Sequence, residues 1–292
     1  MHEHLLSDAR GLASDQDYVL DSQETATAEL RLAAAAGLRA VVDPTGWGFG
    51  GPAPQLAEIA SVSGVQIIAG VGVYLGRTRP DWIRELTEGG LTDLFLHALN
   101  DHIPGCEFRA GVVGVIAPDH PREPADDSIL RAAARAAAES GRALIVRLDP
   151  RYEDGPDTVD VIAAAGLSPA RVVLSNIDGY AREPRILRAL AATGATLKWC
   201  FGYEAPPRAG LRLATDTQRA DALLALWRDG FHAQVLACGV WTRAALRANG
   251  GFGYGHLLDR VVPALHARGV TTSEVRHLLV EQPSGLLDQD HG

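Results

Sequence analysis

Short apolar runs alternate with helical stretches along almost the whole chain, and this alternation constrains the fold more than any other feature. Strand candidates are Leu38 to Asp43, Val65 to Val71, Ala110 to Ile116, Ala143 to Leu148, Arg171 to Asn176, Ala195 to Cys200 and Gln234 to Cys238. Helix candidates lie between and beside them: Thr25 to Ala36, Ala53 to Ser63, Pro80 to Thr87, Asp126 to Ser140, Thr158 to Ala165, Glu183 to Thr193 and Thr215 to Asp229. Two more, Gly255 to His266 and Ser273 to Leu279, follow in the tail. Such a pattern buries a parallel sheet under helices. Most of the helices stop at a glycine able to take the left-handed cap, at Gly37, Gly64, Gly141, Gly166, Gly194 and Gly230. An eighth strand ending near His2 to Leu5 would close the sheet, and 292 residues suit one barrel, a fold of about 250 residues. The expected fold is therefore α/β, a (β/α)8 barrel in one domain over residues 1–292.

Charge and composition narrow the ligands. A net charge of -9 leaves no basic stripe to meet nucleic acid or an anionic membrane, so a small molecule is the expected partner. Cys106, Cys200 and Cys238 are too scattered for a disulfide framework, which suggests a reducing cytoplasm. No apolar run reaches the ~20 residues of a membrane span, and the first residues are not a charged-then-apolar signal. Of 27 lysines and arginines one alone is lysine, Lys198. A GC-rich genome explains the arginine bias but not the place of the exception.

In such barrels chemistry sits where strands end. His2 and His4, at i and i+2, would point to one side of a strand, where two neutral imidazoles can grip a divalent ion such as zinc. Near a terminus the same spacing also arises from a tag or by chance. Lys198 and Cys200 share a face, so the lysine can act as a general base or form an imine, or else pair with a buried carboxylate. Cys200 reads as a nucleophile or as a small buried filler. Trp47, Tyr74, Phe201, Tyr203 and Trp241 gather at strand ends and suit the wall of a mostly apolar pocket, although single aromatics of this kind are usually packing.

The segments Ala36 to Asp43, Gly64 to Tyr74, Arg109 to Val113, Leu130 to Ala134, Leu167 to Val173 and Gly253 to Gly255, together with His2-Glu3-His4, resemble the phosphotriesterase family of the amidohydrolase superfamily. The match runs through nearly the whole chain in order. The resemblance implies a hydrolytic site with two metals, a first strand ending in His-x-His, and an assembly in which homodimers are common. Family members carry a strand before that motif and often a Met directly ahead of it, so Met1 reads as an internal codon taken as the start and the first strand as truncated.

Beyond the first strand the ligand pattern fails. Where the family bridges its metals with a carboxylated Lys or a Glu, this chain has Gly114-Val115; its fifth- and sixth-strand histidines are Arg147 and Asn176, and its catalytic aspartate is Val240. His2 and His4 are the ligands left, and a tight catalytic zinc needs at least a third donor, such as Asp178 or Cys200. Arg147 repels a dication but offers a planar fork to a carboxylate or phosphate, unless a salt bridge to Asp178 or Asp149 occupies it.

The expected site therefore has His2, His4, Lys198 and Asp178 in catalytic roles. Arg147, Asn176, Trp47, Tyr74, Cys200, Tyr203 and Trp241 would bind substrate, with no cofactor or metal. The first reading is a metal-independent hydrolase, lyase or cyclase acting on a small carbonyl, ester or lactone substrate with an anionic group. A catalytically dead binding or scaffold protein and a zinc hydrolase with atypical ligands are the alternatives.

Overall fold

Each apolar run forms a strand that pairs in parallel with the next. In the computed structural model, which describes residues 1–12, 15–203 and 213–288, one sheet runs in chain order through β3 (Ala40–Asp43), β4 (Gln66–Val71), β5 (Val112–Ile116), β6 (Leu144–Arg147), β7 (Val172–Ser175), β8 (Thr196–Cys200) and β9 (Gln234–Ala237). Helices α1 (Gln23–Ala35), α2 (Leu56–Ser63), α3 (Asp81–Arg84), α4 (Glu88–Asn100), α5 (Pro124–Ser140), α6 (Gly155–Ala164), α7 (Pro184–Ala192) and α8 (Asp216–Arg228) lie between strands. The expected glycine stops at 37, 64, 141, 166, 194 and 230 all have positive φ.

Residues 1–5 fill the eighth strand position. Glu3 N donates to Val42 O of β3 at 2.9 Å, and His4 N donates to Val240 O beyond β9, also at 2.9 Å. Two backbone bonds are few for a strand, and buried carboxylates add to them. Glu3 accepts from Cys238 N and Val240 N at 2.7 and 3.0 Å, and Asp43 accepts from Leu5 N at 3.0 Å. The sheet is thus closed as a (β/α)8 barrel.

Alternation along the strands sorts the core. Val42, Val115, Ile145, Val173 and Val235 meet inside the barrel. Val41, Val146, Leu174, Leu197 and Leu236 face outward and join Leu30, Leu130, Ile162, Leu187 and Leu223 of the helices. Each buried aliphatic side chain stabilises the fold by roughly 1.5–3 kcal/mol. Because strand residues alternate, Arg147 and Ser175, two positions beyond Ile145 and Val173, carry the inward face to the C-terminal mouth.

Two elements escaped the sequence reading. Helix α4 begins Glu88-Gly89-Gly90, which reads as a break, yet Thr87 caps it by accepting from Gly90 N at 3.1 Å. A hairpin of β1 (Ser7–Asp8) and β2 (Val19–Leu20) follows the first strand. The tail folds as α9 (Val262–His266), α10 (Thr272–Arg276) and α11 (Gln282–Leu287), with π-type turns at Leu257–Val261 and His277–Glu281. No described helix is long and apolar enough to cross a membrane.

Candidate active site

The first strand position places two imidazoles edge to edge. His2 Nε2 and His4 Nε2 lie 3.2 Å apart, and both rings are buried. His4 Nδ1 is 2.8 Å from Thr45 Oγ1, whose hydroxyl donates to Asp43 Oδ1. With its one proton given to Asp43, Thr45 can only accept, so Nδ1 of His4 carries the hydrogen and its Nε2 presents a lone pair. His2 then donates from Nε2, which leaves its Nδ1 as an acceptor, and that buried atom has no partner.

Charge keeps this pair neutral. Burial, followed by the positive Lys198, pushes His4 down to about 3 and holds His2 well below the ordinary 6.5. At rest these neutral rings therefore offer lone pairs and hydrogen bonds. Burial also raises Asp43 to about 6, against its bonds from Thr45 and Leu5.

Strand β8 brings in the lone lysine. Lys198 Nζ is 2.9 Å from Cys200 Sγ, and Lys198 makes no ion pair with a described carboxylate. The chain makes room at Gly239, where a Cβ would stand 2.5 Å from that sulfur and φ is +65°. Burial pushes the Cys200 thiol up, with Lys198 drawing it back, so the sulfur rests as the protonated thiol.

Arg147 ends β6 as a half-buried cation with no hydrogen bond or ion pair among the described residues. Neither proposed salt bridge forms. Asp149 is taken by Arg151 through a pair of bonds at 2.9 and 2.5 Å, and Asp178 lies 3.9 Å from Arg219. Arg219 is itself fixed by Asp216 at 2.6 Å, and Asp216 also holds His256 at 2.6 Å. Beside Arg147, its register partner Ser175 has a buried hydroxyl with no partner, and Asp178 Oδ1 is likewise unpaired. Between them Asn176 turns the chain through the left-handed region at φ +66°.

An aromatic cover closes over the imidazoles. Phe49 stacks at a tilt on His4 with centroids 4.7 Å apart, and it reaches Tyr74 at 4.8 Å and Trp241 at 6.4 Å. Tyr18 of the hairpin meets Trp241 at 5.0 Å, and Tyr203 lies 6.3 Å from Trp241 while accepting from its backbone N at 3.0 Å. Trp47 is not part of this wall. It packs on Trp82 and Phe95 of the outer layer, because Gly48 and the turn at 46–51 send Phe49 inward in its place. Phe201 also joins the outer core.

Tyr74, Tyr203, Trp241, Arg147, Asn176, Asp178, Lys198, Cys200 and the histidines therefore all stand at or beside the mouth. Ser175 and Tyr18 went unnoticed in the sequence. Inward alternation from Val173 could have found Ser175; nothing local marks Tyr18.

The family's two-metal centre can be tested against these side chains. The imidazole pair would suit one ion, but no third His, Cys, Asp or Glu ligand atom clusters with it among the described residues. Val115 and Val240, at two ligand positions, are buried hydrocarbons. The donor set does not fit that centre.

Comparison with known proteins agrees on ancestry. The model of the phosphotriesterase family matches residues 1–287. An N-acetyltaurine hydrolase of Salmo salar is 30% identical over 257 residues, covering 86% of this chain and 74% of the relative. A phosphotriesterase-related protein of Nematostella vectensis is 30% identical over 83% of this chain and 71% of its own length. Among solved structures, a resiniferatoxin-binding protein from Rhodobacter sphaeroides superposes with a TM-score of 0.93 at 26% identity, over 99% of this chain and 90% of that one.

Proposed function

The chain belongs to the phosphotriesterase family, and on that footing we propose that it is a metal-independent hydrolase of a small carbonyl compound, an amide, ester or lactone, that carries an anionic group. The observation that supports this most is Arg147: a half-buried guanidinium without a partner among the described residues, which also leave Ser175 Oγ beside it and Asp178 Oδ1 unpaired. Relatives named N-acetyltaurine hydrolase act, by that name, on an N-acyl amide.

In this reading Arg147 anchors the anion through two parallel N–H bonds. The scissile carbonyl lies toward Ser175 and Lys198, whose hydroxyl and positive charge meet the developing oxyanion. Water attacks the carbon, its proton passes to the lone pair of His2 Nδ1, and Asp178 Oδ1 accepts its other hydrogen and orients it. The proton then moves from His2 to the departing amine or alkoxide. Thr45 and Asp43 fix the tautomer of His4, which in turn fixes His2. The aromatic cover of Phe49, Tyr74 and Trp241 excludes bulk water.

A second reading, ligand binding without turnover, is favoured by one observation, the likeness to a resiniferatoxin-binding protein. Kinetics with an anionic N-acyl amide and its neutral ester analogue separate the two. Hydrolysis of the anionic compound is expected, with Arg147→Met raising its KM by about tenfold or more, since a hydrogen bond to a charged group contributes roughly 1.5–3 kcal/mol, and sparing the neutral one. Equal effects on both compounds would discard the anchoring role; binding with no turnover would favour the second reading.

A further inference from the structure

The lone lysine and the partly exposed cysteine face each other. Of the three cysteines, Cys106 and Cys238 are buried and only Cys200 is partly accessible, at the mouth end of β8. Its sulfur is 2.9 Å from Lys198 Nζ, closer than any described carboxylate comes to that nitrogen within ion-pair range. Gly239 leaves the space in which the sulfur sits. A nitrogen held against a sulfur, with no other partner among the described residues, is placed to intercept that sulfur once it is oxidised.

We propose that Lys198 and Cys200 are a modification site, where hydrogen peroxide or a related peroxide joins them by a covalent S–N bridge. In the first step the peroxide O–O bond breaks, the Cys200 thiol becomes a sulfenic acid, and one water leaves; sulfur is oxidised by two electrons and the peroxide reduced. In the second, once the Lys198 ammonium has given a proton to solvent, the lone pair of its amine attacks sulfur, the S–O bond breaks, and the hydroxyl departs as water with a further proton from nitrogen. The sum is one thiol, one amine and one peroxide giving one S–N link and two waters. A thiol reductant reverses it. The bridge withdraws the amine that stands beside the imidazole pair, and its chemistry does not depend on which reaction the site performs.

The sequence supplies a direct test. Because Lys198 is the only lysine, a lysine-specific protease cuts the denatured chain once, into residues 1–198 and 199–292. Native protein is treated with peroxide, its free thiols are capped, and it is denatured without reductant and digested. The expected result is an uncut chain, restored to cutting by dithiothreitol, while Cys200→Ser is cut with or without peroxide. Mass spectrometry of the wild-type segment that holds both residues is expected to show the loss of two hydrogens. Cutting unaffected by peroxide, protection that persists in Cys200→Ser, or added oxygen without the loss of hydrogens would each overturn the bridge.

Discussion

Arg147 and His2 are the residues on which the proposed chemistry turns, and each is defined by a partner it lacks among the described residues. Replacing Arg147 leaves no broken ion pair, so Arg147→Met is expected to melt close to the wild type while losing affinity for anions. His2 is held neutral by burial and by Lys198, so protonation does not silence it near pH 6.5. A profile of kcat/KM against pH is therefore expected to show no acid limb around 6.5; a limb there would assign the proton acceptor to an ordinary histidine. Asp43 makes a contrasting prediction for stability. Its carboxyl is raised to about 6 in the fold against 3.8 unfolded, so between these values the folded state holds the extra proton, and stability falls as pH rises through the window. The loss is of order 2–3 kcal/mol, at 1.36 kcal/mol per pKa unit. Thermal melts at pH 4 and 7 check it: Asp43→Asn is expected to gain on the wild type at the higher pH.

Among elements, the first strand is the least conventional. Beside the bond of its terminal amine to Leu236 O, it has one peptide N–H bond to each neighbour, and buried Glu3 adds two more through Cys238 N and Val240 N. Glu3→Ala would strand two buried N–H groups, each costing roughly 1–3 kcal/mol, so a stability loss of about 2–6 kcal/mol is expected in urea unfolding. A loss below about 0.5 kcal/mol would show that water or a neighbouring group takes over. Strands β3 to β9 were legible because β-branched runs end in turn residues, and helices because glycine stops them. Helix α4 was not, since Gly89 and Gly90 fall in a first turn where their weak helix propensity matters little. Legibility at the site followed the same physics. Strand alternation placed Arg147, Lys198 and Cys200 correctly, whereas Trp47 and Phe49 exchanged roles because glycines in their turn release the chain from alternation.

At the scale of the molecule, the barrel has kept its frame while the mouth has changed its charge pattern. Where the family resemblance implies metal-binding side chains, Val115 and Val240 are buried hydrocarbon and Arg147 is a cation with no ion pair among the described residues. The remaining polar groups, His2, Ser175, Asp178 and Lys198, surround the same opening under an aromatic cover. Under the proposed function such a mouth attracts an anionic substrate by its own cations. The most direct test is the hydrolysis rate of an anionic N-acyl amide by purified protein before and after exhaustive chelation, with metal content measured in both samples. The account predicts an unchanged rate in metal-free protein; a rate that vanishes on chelation and returns with zinc would contradict it.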